Sequence, residues 1–347
     1  MGGVREIEFT EHDVRTAPDD VLAALHDIYA AFEVESRPDV PPTPLELRVA
    51  EWRHAAAFVD ERTWAAWSDG RVIAVSGTET ERIGQNEHLL WSWVVVRPEH
   101  RRQGLGRRLL RPVLDQALAE SRRVVMGSSW AQVPVGEAFA RRFGAGQGLV
   151  ERESELLLAG LDRDLMRRWI AEGPVRAAGY ELVWVDGPVP DELVEAFCEL
   201  HHVTNTAPRE DLDMEDEHAT PELLRQKEAS HEAAGVEVIR CIARHAGSGV
   251  LAGFTDVYWH PAQPERIGQG WTAVHPDHRG KALGKWLKAA MAECMFERWP
   301  SAERIVTGNA YSNDAMIGIN DEMGFKETRA EIVWQIPTDT LRVALNG

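Results

Sequence analysis

Val94-Val95-Val96-Arg97-Pro98-Glu99-His100-Arg101-Arg102-Gln103-Gly104-Leu105-Gly106 is written a second time in this chain. The second copy is Thr272-Ala273-Val274-His275-Pro276-Asp277-His278-Arg279-Gly280-Lys281-Ala282-Leu283-Gly284. The shared skeleton is V-x-P-[DE]-H-R-x-x-[GA]-L-G, displaced by 178 positions from residue 94 to residue 272. Phe143-Gly144-Ala145 and Met323-Gly324-Phe325 form a second pair of anchors, displaced by 180 positions from 144 to 324. Two anchors in the same order at nearly the same displacement predict a tandem duplication. The expected division is a first domain over 1–160, a linker over 161–179 and a second domain over 180–347.

Each copy of the segment stands between a strand pattern and a helix pattern, and that placement gives it a chemistry. Gly104 and Gly106 let the backbone turn tightly and approach a ligand closely. The first-turn amides of the following helix have no intrahelical partner, and the helix dipole adds partial positive charge. Arg101 and Arg102 lie beside them, and Arg279, Gly280, Lys281, Ala282, Leu283 and Gly284 repeat the arrangement with Ala282 in place of the first glycine. The result is an anion cradle suited to a phosphate or pyrophosphate. A dinucleotide fingerprint would need a third glycine where Leu109 stands, and a nucleotide P-loop would need a G-K-[ST] ending that neither copy has.

The flanking sequence predicts the same order of elements twice. In the first copy strands are expected over 6–9, 63–67, 72–79, 88–96, 124–129 and 151–157. Helices are expected over 20–35, 45–58, from the glycine loop to about 121 despite Pro112, and over 136–142. In the second copy strands are expected over 180–185, 236–244, 250–259, 268–274, 304–308 and 331–336. Helices are expected there over 190–203, 221–234, 284–297 and 314–323. Asp69-Gly70 and Gly247-Ser248-Gly249 mark hairpin turns. Residues 204–220 form a long polar connection, open to reading as a lid over an acceptor site or as a solvated loop.

Composition narrows the class. The 347 residues carry 56 acidic against 38 basic side chains, a formal net charge of −18, which disfavours nucleic acid and anionic membrane as partners. No run of 18 apolar residues occurs, and residues 1–6 lack the apolar stretch of a signal peptide, so a cytoplasmic protein without a membrane span is expected. Cys198, Cys241 and Cys294 are scattered, and no histidine spacing suits a metal, so neither a disulfide framework nor a metal site is expected.

Both copies resemble the Gcn5-related N-acetyltransferase (GNAT) superfamily. The signature Q/R-x-x-G-x-G/A is met by Arg101, Gly104 and Gly106, and by Arg279, Ala282 and Gly284 with the one departure at Ala282. Val96-Pro98 and Val274-Pro276 match the family's V-x-P turn, and Asn313, Asn320, Gly324 and Phe325 match a later element. The resemblance spans nearly the whole chain and resembles that of tandem members such as the mycothiol synthases. It implies two acyl-CoA N-acyltransferase domains of α/β (α+β) class, each a mixed, mostly antiparallel sheet with flanking helices and a splay between its fourth and fifth strands. Acetyl-CoA would enter each splay, its pantetheine arm pairing with the edges at Val94 and Val96, and at Thr272 and Val274. Its pyrophosphate would lie on Arg101, Arg102, Gln103, Gly104, Leu105 and Gly106, and on residues 279–284 in the second copy. Asn313 would lie near the pantetheine, where the first copy has Val133.

The implied reaction is direct attack of a neutral amine on the thioester, with no acyl-enzyme. The family's thiolate-facing tyrosine is absent: Asn320 and Ala140 stand at its place. Tyr258 and Tyr311 are candidate substitutes, Asp256 and Glu79 candidate bases, and Thr272 a candidate substrate contact. Asp211, Asp213 and Glu215 would hold a cationic acceptor, and Trp91, Trp93, Trp259 and Trp271 would line its cavity. The richer polar set of the second copy (Thr272, Thr307, Asn309, Asn313, Asn320) predicts that the second domain catalyses. The expected function is N-acetylation of a small-molecule primary amine. A protein or peptide acetyltransferase and a non-catalytic acyl-CoA sensor are the alternatives. A monomer with an internal pseudo-dimer is the expected assembly.

Overall fold

The computed structural model describes residues 7–347; the readings made on residues 1–6, including Glu6 as the start of the first strand, lie outside the described residues. In chain order the elements are β1 (Glu8–His12), α1 (Asp19–Ser36), α2 (Leu45–His54), β2 (Val59–Ser68), β3 (Arg71–Glu81), β4 (Leu89–Val96), α3 (Leu105–Ala119), β5 (Val124–Trp130), α4 (Pro134–Arg142) and β6 (Gly146–Leu157). They continue with α5 (Arg163–Arg176), β7 (Tyr180–Asp186), α6 (Asp191–His201), α7 (Pro221–Ala234), β8 (Glu237–His245), β9 (Leu251–Trp259) and β10 (Arg266–Val274). The last are α8 (Leu283–Arg298), β11 (Arg304–Ala310), α9 (Asp314–Met323), β12 (Lys326–Pro337) and α10 (Thr338–Asn346). The helix expected over 45–58 stops at His54. The Arg15 guanidinium donates to the carbonyls of Ala55, Ala56 and Val59 and holds the corner into β2.

The chain divides into two compact units that do not follow the expected boundaries. The first takes the chain up to Val150 together with Arg209–Glu215 and Ala330–Gly347; the second takes Glu151–Pro208 and Asp216–Arg329. In the first unit the strand order is β1-β2-β3-β4-β5-β12, antiparallel except for β4 beside β5. The strand expected over 331–336 therefore completes the sheet of the first copy, paired from Glu331↔Trp130 to Pro337↔Val124. Trp334 Nε1 seals it with a 2.8 Å bond to Ser129 Oγ. Leu341 and Leu345 of α10 pack with Leu110 and Val113 of α3 on one face, and α1 and α2 cover the other with Leu22, Leu25, Ile28 and Trp52.

In the second unit the order is β6-β11-β10-β9-β8-β7, with β10 parallel to β11. Residues 151–157, expected to close the first copy, pair here with β11 from Glu151↔Ala310 to Leu157↔Arg304. Each copy's last strand has the same length and the same outermost place, so its pattern fits either sheet. Residues 161–179 are no linker: Met166 and Trp169 of α5 are buried with Leu287 and Met291 of α8. On the opposite face Phe197 and Leu200 of α6 pack on Ile242 and Phe254.

Residues 209–215 are not a lid poised over the second copy. They lie in the first unit, where Leu212 packs against Gly148, so closely that a Cβ there would stand 2.3 Å from it. Asp211 N–H donates to the Gly148 carbonyl, and Gln335 bonds the backbone of both Asp211 and Asp213. His88 Nε2 lies 2.9 Å from the Asp213 carbonyl, and Asn86 accepts from Glu215 N–H. No helix among the described residues is long and apolar enough to cross a membrane.

Candidate active site

Both sheets open at the strand pair predicted to splay. Pairing of β4 with β5 ends at Trp91↔Met126, and pairing of β10 with β11 ends at Gly268↔Val306. Past those points one edge of β4 and one of β10 face the gap. Arg97 N–H bonds the Ile73 carbonyl and His275 N–H bonds the Ala252 carbonyl. Backbone alternation then turns the amide groups of Val94 and Val96, and of Thr272 and Val274, toward the gap. In the first unit the gap is a cavity of about 470 Å³ lined by Val94–Val96, Ser128–Trp130, Val133, Phe139 and the glycine loop.

The loops below the gaps keep the predicted cradle but assign its arginines differently. Arg101 Nε donates to the Val96 carbonyl at 3.0 Å, and its two terminal nitrogens grip Glu35. Arg279 Nε donates likewise to the Val274 carbonyl at 2.9 Å, and its other end reaches Thr206. The repeated arginine thus latches the V-x-P turn. The side chains of Leu105 and Leu283 are buried, so these residues offer only their amides. Gly104 (φ 83°) and Ala282 (φ 60°) occupy the left-handed position that starts each helix. Arg108 N–H is the first to bond within α3, which leaves the amides of Leu105, Gly106 and Arg107 facing the cavity. Gly106 is glycine for a separate reason: a Cβ there would meet the Phe139 ring of α4 at 2.8 Å.

In the second unit a polar cluster is buried on the α6–α7 side of β8 and β9. Asp256 Oδ2 accepts from Tyr258 Oη at 3.0 Å, and Asp256 Oδ1 is buried without a hydrogen-bond partner. Arg240 stands opposite Asp256 across the β8–β9 pair. It donates to the Gly187 carbonyl and lies 3.8 Å from Glu228, which also accepts from Val189 N–H and Arg225. Burial pushes the Asp256 carboxyl up to about 6, against the pull of Arg240 and the Tyr258 hydroxyl. Burial, with Asp256 alongside, holds the Tyr258 hydroxyl well above its usual range. The His231 ring lies 5.4 Å from that of Tyr258, and burial lowers its basicity. A bulge in β10 between Gln269 and Thr272 brings Gly270 against this pair; a Cβ there would lie 2.4 Å from Asp256 Oδ1 and 2.6 Å from the Tyr258 ring.

The acetyltransferase (GNAT) family profile matches residues 22–145 and again residues 194–325. The chain belongs to the GNAT acetyltransferase family. It is similar to the mycothiol acetyltransferase of Saccharomonospora viridis, 27% identical over 326 residues that span 90% of this chain and 93% of that one. A tandem GNAT protein from the clavulanic acid biosynthesis pathway superposes with a TM-score of 0.78 at 27% identity, covering 96% of this chain and 99% of the other. A GCN5-related N-acetyltransferase from Sphaerobacter thermophilus shares the fold, with a TM-score of 0.68 at 14% identity over 95% of this chain and 96% of that one. This tandem GNAT chain is an acetyltransferase, and its family uses acetyl-CoA. The open strand edges, the free helix amides and the cavity above them fit that donor. Among the described residues no group of three His, Cys, Asp or Glu side chains is placed to hold a metal ion.

Other site residues expected from sequence have separate settings. Thr272 presents its backbone to the gap, but its hydroxyl is bonded to Thr255 at 2.7 Å; Thr255 projects from the face of β9 opposite to Asp256. Asn313 is the N-cap of α9, its Oδ1 accepting from Met316 N–H. Asn320, at the family's tyrosine position, is buried and donates from Nδ2 to Asn309 at 2.8 Å, with its Oδ1 unpartnered. Tyr311 is exposed and bonded to Glu327, away from Asp256, and its hydroxyl is pushed up to about 12 by partial burial and that carboxylate. Trp259 stacks on Trp299 and bonds the Pro264 carbonyl, which makes it a packing residue. Arg240, Glu228 and His231 were not anticipated: a strand register places Arg240 opposite Asp256 and the packing of α7 brings the other two, and composition gives neither.

Proposed function

We propose that this chain acetylates a primary amine of a small molecule with acetyl-CoA, and that the second unit carries out the transfer. The observation that supports this reading is the buried Asp256–Tyr258 pair under the β10 bulge, next to the open edge of Thr272 and Val274. Those edge amides would hold the donor and polarise its thioester carbonyl. Asp256, as carboxylate, takes the proton of the incoming amine, whose nitrogen attacks the carbonyl carbon as the C–S bond breaks. Tyr258 stays protonated and serves as donor to the departing thiolate, in place of the tyrosine that Asn320 replaces. Asn320 Oδ1 supplies an acceptor for an N–H of the donor's arm.

The test is CoA release over a panel of primary amines by the native chain, Asp256→Asn and Tyr258→Phe. Loss of a general base or acid is expected to lower kcat by about 10²–10⁴-fold, while calorimetric binding of acetyl-CoA is retained. Because Asp256 must be ionised, kcat/KM for the native chain should rise with pH through about 6. Unchanged turnover in both variants would overturn the assignment.

A further inference from the structure

We propose that Glu228 is a positioning residue for acyl transfer in the second unit: it holds the Arg240 guanidinium off Asp256 and so keeps Asp256 Oδ1 open to the acceptor amine. This rests on the reading that Asp256 takes the proton of that amine. Arg240 and Asp256 are directly opposed across the β8–β9 pair, and both are buried. Opposite charges so placed attract, and a planar guanidinium ordinarily closes on a carboxylate with two hydrogen bonds. Here the pair is left open. Asp256 Oδ2 accepts from the Tyr258 hydroxyl, and Oδ1 accepts from no donor. A bare carboxylate oxygen is costly in a buried site, so the arginine beside it must be held elsewhere.

Three contacts hold it. Arg240 Nη1 donates to the Gly187 carbonyl at 2.7 Å and lies 3.8 Å from Glu228 Oε1, and the guanidinium carbon stands 5.8 Å from the centre of the Phe197 ring. Glu228 is the charged member of the three, and it is itself fixed. Val189 N–H donates to Oε1 at 2.8 Å and Arg225 to Oε2 at 2.6 Å, while Arg225 also bonds Asp191 at 2.5 Å. The side chains of Glu228 and Arg240 are each 5% exposed, so water screens their attraction little.

The other groups around Asp256 do not replace Arg240. Besides Glu228, α7 gives His231 and Lys227, α6 gives His201, β9 gives Tyr258, and β10 approaches with Gly270. Burial, with Lys227, His202 and Arg240 adding to it, lowers the His201 ring to about 4, and burial foremost lowers His231, so both rings are neutral at pH 7. Arg240 is the cation that acts on Asp256. The first copy lacks the device: counted back from the register shift of each hairpin, Thr63 and Gly77 face each other where Arg240 and Asp256 do here.

The experiment compares the full native chain with Glu228→Gln, Arg240→Met, both together, and Asp256→Asn. Each is first shown to be folded by melting and by calorimetric binding of acetyl-CoA. Carboxyl NMR of chains labelled at aspartate, assigned by Asp256→Asn, reads the titration of Asp256 without any acceptor. Kinetics use the primary amine of the panel that the native chain acetylates fastest. In Glu228→Gln the guanidinium closes on Oδ1, so the Asp256 midpoint should fall by about one pH unit or more. The amine KM should rise and kcat/KM drop about tenfold or more, because the oxygen is occupied and the base weaker. Arg240→Met should raise the midpoint by about one unit and keep turnover at high pH. The double variant, which leaves neither member of the buried pair without its partner, should resemble Arg240→Met and recover the KM lost in Glu228→Gln; it decides the matter if a single variant does not fold. An Asp256 midpoint that stays in place in Glu228→Gln, beside turnover lost in Asp256→Asn, overturns the proposal and leaves the catalytic reading intact. A double variant as impaired as Glu228→Gln also overturns it, since the fault then lies in packing. Full turnover in Asp256→Asn overturns the catalytic reading, and the proposal with it.

Discussion

Lys288 is buried to 2% of its surface on α8, with its ammonium over the Phe325 ring, where the first repeat has Leu110 in the matching place. Burial alone pulls its basicity down to about 7. The unfolded chain keeps that proton up to about 10.4, so between the two values the unfolded state binds more protons and stability rises with pH. Lys288→Met, similar in length and uncharged, should flatten that rise and raise the unfolding free energy at pH 7 by about 1–2 kcal/mol. Urea midpoints of the two proteins at pH 7 and pH 9 check it; an unchanged slope would assign the pH dependence to another group. The repeated arginines teach a related lesson at the same scale. Sequence marks Arg101 and Arg279 as special and identifies their positive charge, yet their Nε atoms are committed to the carbonyls of Val96 and Val274. What both arginines fix is the shape of the V-x-P turn.

At the scale of elements, bulges decide what each face displays. Both hairpins carry one: Ile73 of β3 is the extra residue opposite Ala66 and Trp67, and Ala252 of β9 the extra residue opposite Ala243 and Arg244. The Asp69-Gly70 turn, counted outward from Ser68↔Arg71 without a slip, would set Glu61 against Thr78. The bulge sets it against Glu79, and the same slip moves Arg240 from Thr255 to Asp256. Helices, strand order within each hairpin and the glycine loops were legible in residue pattern, because periodicity and turn residues act locally; the splay followed only from the family resemblance. The polar clusters were not, because a one-residue slip exchanges the faces and leaves no mark in composition. The β10 bulge yields a prediction of its own. Gly270→Ala would drive a methyl group into Asp256 and the Tyr258 ring, and is expected to lower second-unit turnover about tenfold or more through misplacement. Acetyl-CoA affinity should hold, which steady-state kinetics beside calorimetry would show; unaltered kcat would mean that the close approach has no bearing on catalysis.

At the scale of the molecule, duplication was readable and its wiring was not. The strand over 331–336 repeats the role of 151–157 in pattern, and nothing in either sequence says which sheet it completes. Because Val333, Trp334, Ile336, Leu341 and Leu345 are buried in the first unit, a chain ending at Arg329 should lose that unit while the second keeps a cooperative transition. Thermal unfolding followed by tryptophan fluorescence, with mass spectrometry of proteolytic fragments, would show residues 7–150 degraded and 151–329 protected. Protection of both stretches would mean that β12 and α10 are dispensable. The same wiring sets an order of events during synthesis. Residues up to Val150 leave the ribosome with β5 still lacking its outer neighbour, and that neighbour begins at residue 330. At about 5–20 residues per second the wait is on the order of ten to forty seconds. Through that interval the β5 edge is an open template for pairing with a neighbouring nascent chain. The half of this protein made first is therefore the half that finishes folding last.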